Sequence, residues 1–262
     1  LDGLVIDNGY ASPTTGFGGG IFVRDHDSLT LTNSIIADNS AADGGGIFVS
    51  NQASLAMADS TVSDNAAVKA GGGIVGYSGA TLALTNVTIS GNSAAKGGGI
   101  IGTANDQITL ADSTITGNKT TVAGGGGLYS SGASAVTTVT NSIVAGNSSA
   151  SAGDDLDGHS GAKLVFTGGN ILGSAPVNFG SIDKTSGSYT PINGTSQSDL
   201  RSVFAQVGDN PTTGVLSGLP AANGAGIQTV ALNPTDIAID AGVTADLPPG
   251  TATDERGFSR VV

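Results

Sequence analysis

Cysteine and tryptophan are absent from this chain, methionine occurs once, and only 11 % of the residues are charged. Without cysteine there is no disulfide frame and no thiolate nucleophile, and the redox compartment cannot be read from thiols. Basic residues are scarce: 9 Lys and Arg stand against 21 Asp and Glu, for a net charge of −12. That balance argues against nucleic acid and against an anionic membrane surface as partners. No run approaches the ~20 apolar residues that a membrane-crossing helix needs. Four tyrosines and seven phenylalanines are the whole aromatic complement, which gives a sugar-stacking groove little to draw on. The first residues lack a basic stretch followed by an apolar one, and residue 1 is Leu rather than Met. The chain therefore reads as a processed product or a piece of a longer protein.

Glycine is abundant, with 43 residues, and it is periodic. Three glycines followed by an aliphatic residue occur at Gly18–Ile21, Gly44–Ile47, Gly71–Ile74, Gly97–Ile100 and Gly125–Leu128, at steps of 26, 27, 26 and 28 residues. Between them recurs a second phrase, as in Thr-Asn-Ser-Ile-Ile-Ala-Asp-Asn39 and Thr-Asn-Val-Thr-Ile-Ser-Gly-Asn92. A period of this length marks a solenoid, whose units bury their apolar face only by stacking on one another.

Laid over one another, the repeats align four apolar columns. They are Leu29, Leu55, Leu82, Ile108; Leu31, Met57, Leu84, Leu110, Val139; Ile36, Val62, Ile89, Ile115, Val144; and Ile21, Ile47, Ile74, Ile100, Leu128. Apolar residues alternate with Thr, Ser or Ala, the two-residue period of strands, and β-branched residues favour a pleated surface. Three short strands per 26–27 residues make one turn of a three-faced, single-stranded parallel β-helix. Right-handedness is expected from the general preference of parallel crossovers. At ~4.8 Å per coil, five turns make a rod of roughly 24 Å.

Two polar columns fall at turns. Asn39, Asn65, Asn92, Asn118 and Asn147 follow Asp or Gly and can form a coil-to-coil amide ladder. Asn33, Asp59, Asn86, Asp112 and Asn141 form the other. Recurrence in every coil favours turn satisfaction over a row of ligands. The glycine triplets allow a sharp corner and close stacking; no strand-to-helix transition follows them, so a phosphate loop is not indicated. Asn86-Val-Thr88, Asn118-Lys-Thr120 and Asn147-Ser-Ser149 match the N-glycosylation pattern but coincide with the ladder columns.

Leu1–Tyr10 reads as the end of a coil already under way, so the native protein is expected to extend N-terminally. Tyr10–Phe17, with Pro13, is a longer turn than its later counterparts. After Asn147 the period degrades into one or two irregular coils, and residues 1–175 form the solenoid domain. Residues 176–262 form an irregular extension. Within it Leu200, Val203, Phe204 and Val207 predict a helix over 198–207, capped by Ser198, that could close the end of the apolar column.

Chemistry could concentrate at one acidic run, Asp154, Asp155 and Asp157, near His159 and Lys163. Its oxygens would suit Ca²⁺, although no cofactor is required by the sequence. The alternative is a solvated turn. His26 and His159 sit in loops among acids, and no Ser/His/Asp order with a nucleophile elbow occurs. Thr61/Ser63, Thr88/Ser90 and Thr114/Thr116 would line one flat outer face, which we read as solvated. Ile35/Ala37 and Ile143/Ala145 interrupt its columns. Tyr77 and Tyr129 fall near equivalent positions and could form a small contact patch.

The phrase Ile89-Ser-Gly-Asn-Ser-Ala-Ala-Lys-Gly-Gly-Gly-Ile100 resembles the repeats of chlamydial polymorphic outer-membrane proteins, in which Phe-x-x-Asn precedes Gly-Gly-Ala-Ile. Here Ile or Val replaces the Phe and Gly the Ala. Ile237-Ala-Ile-Asp-Ala-Gly242 and Thr253-Asp-Glu-Arg-Gly-Phe-Ser-Arg260 resemble the tail of secreted bacterial β-helix proteins with a choice-of-anchor domain. The resemblance implies a non-catalytic segment at the bacterial cell surface or outside the cell, serving as adhesin stalk, spacer or filament subunit. Its expected partners are other copies of itself, or glycans or proteins of a host or cell surface. Parallel β-helices also include polysaccharide lyases, hydrolases and epimerases, so a carbohydrate-active or carbohydrate-binding role is the alternative.

Overall fold

The computed structural model describes residues 1–151, 153–222 and 228–233. Most of their strands stack in parallel, in one sheet of 11 strands, one of 6 and one of 4; two antiparallel pairs follow in the C-terminal part. The 6-stranded sheet runs from Ile21–Val23 through Ile47–Val49, Ile74–Gly76, Ile100–Gly102 and Leu128–Ser131 to Leu156–His159, so six coils contribute in succession. Each strand is short because Gly or an αL residue breaks it at a corner. The second glycine of a triplet leaves no alternative: a Cβ on Gly72 would stand 2.5 Å from the Gly98 carbonyl oxygen of the next coil.

The apolar columns lie in register. Leu31 pairs with Met57, Met57 with Leu84, Leu84 with Leu110, Leu110 with Val139 and Val139 with Phe166. Ile21, Ile47, Ile74, Ile100, Leu128 and Leu156 do the same. One interior cluster holds them, from Val23 to Leu172. Fully burying each large aliphatic side chain contributes ~1.5–3 kcal/mol, so the stack is driven by these columns. The columns continue past the point where the glycine period fails. Lys163–Leu172 pairs with Val136–Thr140 and Ile143–Val144, and Ser181–Pro191 pairs in turn with Lys163–Leu172.

The helix is shorter than its apolar spacing predicts. It spans Gln197–Arg201, and its cap is Ser196, whose side chain accepts from Asp199 N. Beyond it the backbone is drawn into tertiary bonds, Ala205 N to Ala231 O and Leu219 N to Gln206 O. Val207 accordingly begins a strand, Val207–Asp209, antiparallel to Leu216–Gly218. A turn and a half of helix has little stability of its own and yields to these partners.

Nor does the helix close the apolar column. That end is covered by Phe179 and Tyr189, which pack against the interior cluster, Tyr189 lying 5.1 Å from the Phe166 ring. Leu200, Val203 and Phe204 form a separate cluster with Ile143, Ala145 and Ile171 on an outer face. The physical reason lies in the interrupted threonine columns. Thr61, Thr88, Thr114, Ile143 and Ile171 are level with one another, and where Thr gives way to Ile the face becomes apolar and needs cover.

The same lateral segment corrects the reading of the Thr face as solvated. Thr61, Thr88 and Thr116 are buried. Thr61 Oγ1 donates to Gln228 O at 2.7 Å, Gly218 N donates to Thr116 Oγ1 at 3.2 Å, and Thr213 Oγ1 donates to Gly117 O at 2.7 Å. The two C-terminal phrases at 237–242 and 253–260 lie outside the described residues.

Candidate functional site

The corner that carries the asparagines is held by positive-φ residues. Asp38, Asp64, Gly91, Gly117 and Gly146 take that conformation, and the next residue in each coil is the asparagine. Each amide nitrogen donates to the side-chain oxygen one coil on: Asn39 to Asn65, Asn65 to Asn92, Asn92 to Asn118 and Asn118 to Asn147, all at 2.9 Å. The same nitrogens reach back to carbonyls of the coil before, for example Asn92 to Val62 O at 2.9 Å. Both the oxygen and the nitrogen of each ladder amide therefore find partners, as burial requires. Asn86, Asn118 and Asn147 are buried, so their N-glycosylation patterns offer no accessible amide.

A second ladder was not foreseen. Ser34 N donates to Ser60 Oγ at 3.0 Å, Val87 N to Ser113 Oγ at 3.1 Å, Ser113 N to Ser142 Oγ at 3.1 Å and Ser142 N to Asn170 Oδ1 at 2.9 Å. These follow the other turn column, Asn33, Asp59, Asn86, Asp112 and Asn141, all at positive φ. The signal was available in the Ser that comes next after four of those five positions.

The acidic run is distributed among separate partners. Asp154 Oδ1 accepts from Ser149 N at 2.7 Å. Asp155 is buried and continues the asparagine ladder, accepting from Asn147 Nδ2 at 2.8 Å and from Ser174 Oγ at 2.9 Å. Asp157 accepts from Asn178 Nδ2 at 2.7 Å. His159 is exposed beside the Tyr129 ring, and Lys163 pairs with Asp183 at 3.7 Å. Among the described residues no three His, Cys, Asp or Glu side chains are grouped to hold a metal ion. The structure thus does not bring Asp154, Asp155 and Asp157 together, because strand alternation and separate turns send them apart.

Burial pushes the Asp155 carboxyl up to about 6, opposed by its bonds to Asn147 and Ser174. Asp106 is also buried and raised to about 6; it accepts from Gly79 N at 2.7 Å and Ala80 N at 2.8 Å and ties two coils at a turn. His26 sits at positive φ in an exposed turn, where its backbone N bonds Asn51 O. These are structural uses of ionisable groups.

Among the described residues, a groove and an outer stripe are open to a ligand. A groove of about 300 Å³ lies between the ladder corner and the lateral segment, lined by Lys119, Asp154, Asp155, Ser174 and Thr195 among others. The second feature is an outer stripe that sequence reasoning missed. Phe22, Phe48, Val75, Ile101 and Tyr129 are level on the outside of the 6-stranded sheet. Phe17 and Tyr77 flank Phe48 at ring distances of 4.7 and 6.0 Å. Phe17, Phe22 and Tyr77 are each nearly half exposed. Tyr77 and Tyr129 are not equivalent: Tyr129 is level with Val75, two residues before Tyr77.

The stacked parallel coils and their continuous apolar interior define the class as a parallel β-helix solenoid. Residues 5–172 match the family described as right handed beta helix region, more than half of the chain, and the protein belongs to that family. No curated protein matches it, and no solved structure does. No helix among the described residues is long and apolar enough to cross a membrane.

Proposed function

We propose that this chain is a non-catalytic, rod-like segment of a secreted or surface-anchored bacterial protein, acting as a spacer or adhesin stalk. One observation carries the reading: the buried acids, Asp155 and Asp106, serve the frame as hydrogen-bond acceptors at corners. Glycoside hydrolysis needs two carboxylates flanking a bond, and the acidic run disperses instead. A coil bonded along its whole length to the next resists bending, which is what a spacer requires. Likeness of the repeats to surface β-helices supports a location outside the cell. The test is twofold. Incubation with a panel of anionic polysaccharides, with calcium and with chelator, is expected to release no product. Deleting one whole coil, residues 72–97, from the full-length protein on its native cells should shorten the display distance and preserve folding. Unsaturated or reducing-end products would overturn the reading.

The aromatic stripe favours a second reading, a glycan-binding stalk. Half-exposed rings around a buried Phe48 offer apolar faces for sugar C–H groups. Binding on a glycan array that is lost in Phe22→Ala and Tyr77→Ala would support it; an array without signal would remove it.

A further inference from the structure

The asparagine ladder ends on a residue of different chemistry. Four rungs pass from amide to amide, and the last passes from Asn147 to the carboxylate of Asp155. An amide side chain presents both an acceptor and a donor, whereas an ionised carboxylate presents acceptors alone. Asp155 Oδ1 does what the amide oxygens do, receiving Asn147 Nδ2 at 2.8 Å and Asn147 N at 3.3 Å. Oδ2 cannot donate as an amide nitrogen would. It receives Ser174 Oγ at 2.9 Å, and the same hydroxyl accepts from Asp155 N at 3.2 Å.

Ser174 belongs to the corner that forms one wall of the groove. The lateral segment forms the other through Gly194, Thr195 and Gly214–Leu216. Asp155 therefore sits where coil, corner and lateral segment meet. We propose that Asp155 is an acid-responsive lock on this junction. Neutralised, it regains a donor and completes the ladder as a further amide-like rung. Ionised, it holds a buried charge under the corner and leaves residues 173–174 and the segment over them less firmly seated.

The sign follows from burial. The carboxyl is raised from 3.8 to about 6, so the folded form takes up a proton that the unfolded form does not. The stabilisation is fully present below 3.8 and is lost as pH rises through about 6. The contact to Ser174 survives the change with its hydrogen reversed, Oδ2–H donating to Oγ. The other charged groups lining the groove are Asp154 and Lys119. Lys119 Nζ is held on Thr213 O at 3.1 Å. Residues 194–195 and 214–216 bring no ionisable side chain.

Amide hydrogen exchange of the intact chain between pH 5 and 7.5, corrected for intrinsic rates, reads the lock directly. Protection at Asp155, Gly173, Gly194 and Val215 is expected to rise about tenfold from the top of that range to its bottom, with the rise setting in near 6. Asp155→Asn, which repeats the chemistry of the other rungs, should show high protection throughout and no step. Ser174→Ala removes a donor to the carboxylate and should move the onset to higher pH. Gly79 and Ala80, which belong to Asp106, separate this step from any effect of that second acid. A rise that persists in Asp155→Asn, a junction that loosens on acidification, or an onset unmoved in Ser174→Ala would overturn the proposal.

Discussion

Thr137 stands in a column that its neighbours fill with Leu82, Ile108 and Leu164. It is fully buried, and its hydroxyl has no hydrogen-bond partner. Replacing it by Val keeps the shape and removes the unsatisfied group, so Thr137→Val should raise stability by ~1–2 kcal/mol. A higher denaturant midpoint with unchanged slope is the expected result. The opposite holds at Asn92, whose oxygen serves Asn65 N and Nδ2 while its nitrogen serves Asn118 and Val62. Asn92→Ala strands all of these and should cost ~3 kcal/mol or more, read as a fall in the same midpoint. Residues of this kind were legible beforehand because they repeat. Asp155 was not, since it takes over the rung only 8 residues after Asn147 instead of a full coil later.

Among elements, corners and terminal strands set the limits. Gly72→Ala would place a Cβ against the Gly98 carbonyl, also a main-chain atom, so the corner must shift. A loss of several kcal/mol is expected, visible as aggregation on expression or a sharply lowered melting temperature, and its absence would show that the corner is not close-packed. The final parallel strand, Ser181–Pro191, is largely exposed. It carries a register shift near Val165/Thr167, the Lys184 ammonium over the Tyr189 ring, and Pro191 at its end. Bulges, lysine and proline are the features that blunt a sheet edge against pairing with another chain. They favour the spacer reading over end-to-end filament growth at that strand.

On the scale of the whole molecule, the two larger apolar clusters are separate. The interior cluster runs along the coils, and the lateral one joins Leu200, Val203 and Phe204 to Ile143, Ala145 and Ile171. Stability of a stack resides mainly in contacts between neighbours. Loosening the lateral segment should therefore leave most coils intact. Phe204→Ala, a change of ~3–5 kcal/mol in a packed site, should abolish exchange protection over residues 197–218 while that of Ile47–Leu110 persists. Simultaneous loss in both regions would mean that the lateral segment is integral to the coil stack.

The repeat itself determined the coil, the strand columns, the inward faces and the asparagine corner, because each is a consequence of local period and turn chemistry. What covers the outer threonine face, what closes the apolar column and where the three aspartates go were decided only by tertiary packing. Those outcomes depend on contacts such as Thr61 with Gln228 and Gly117 with Thr213, 167 and 96 residues apart in the chain, where no local pattern speaks for either partner.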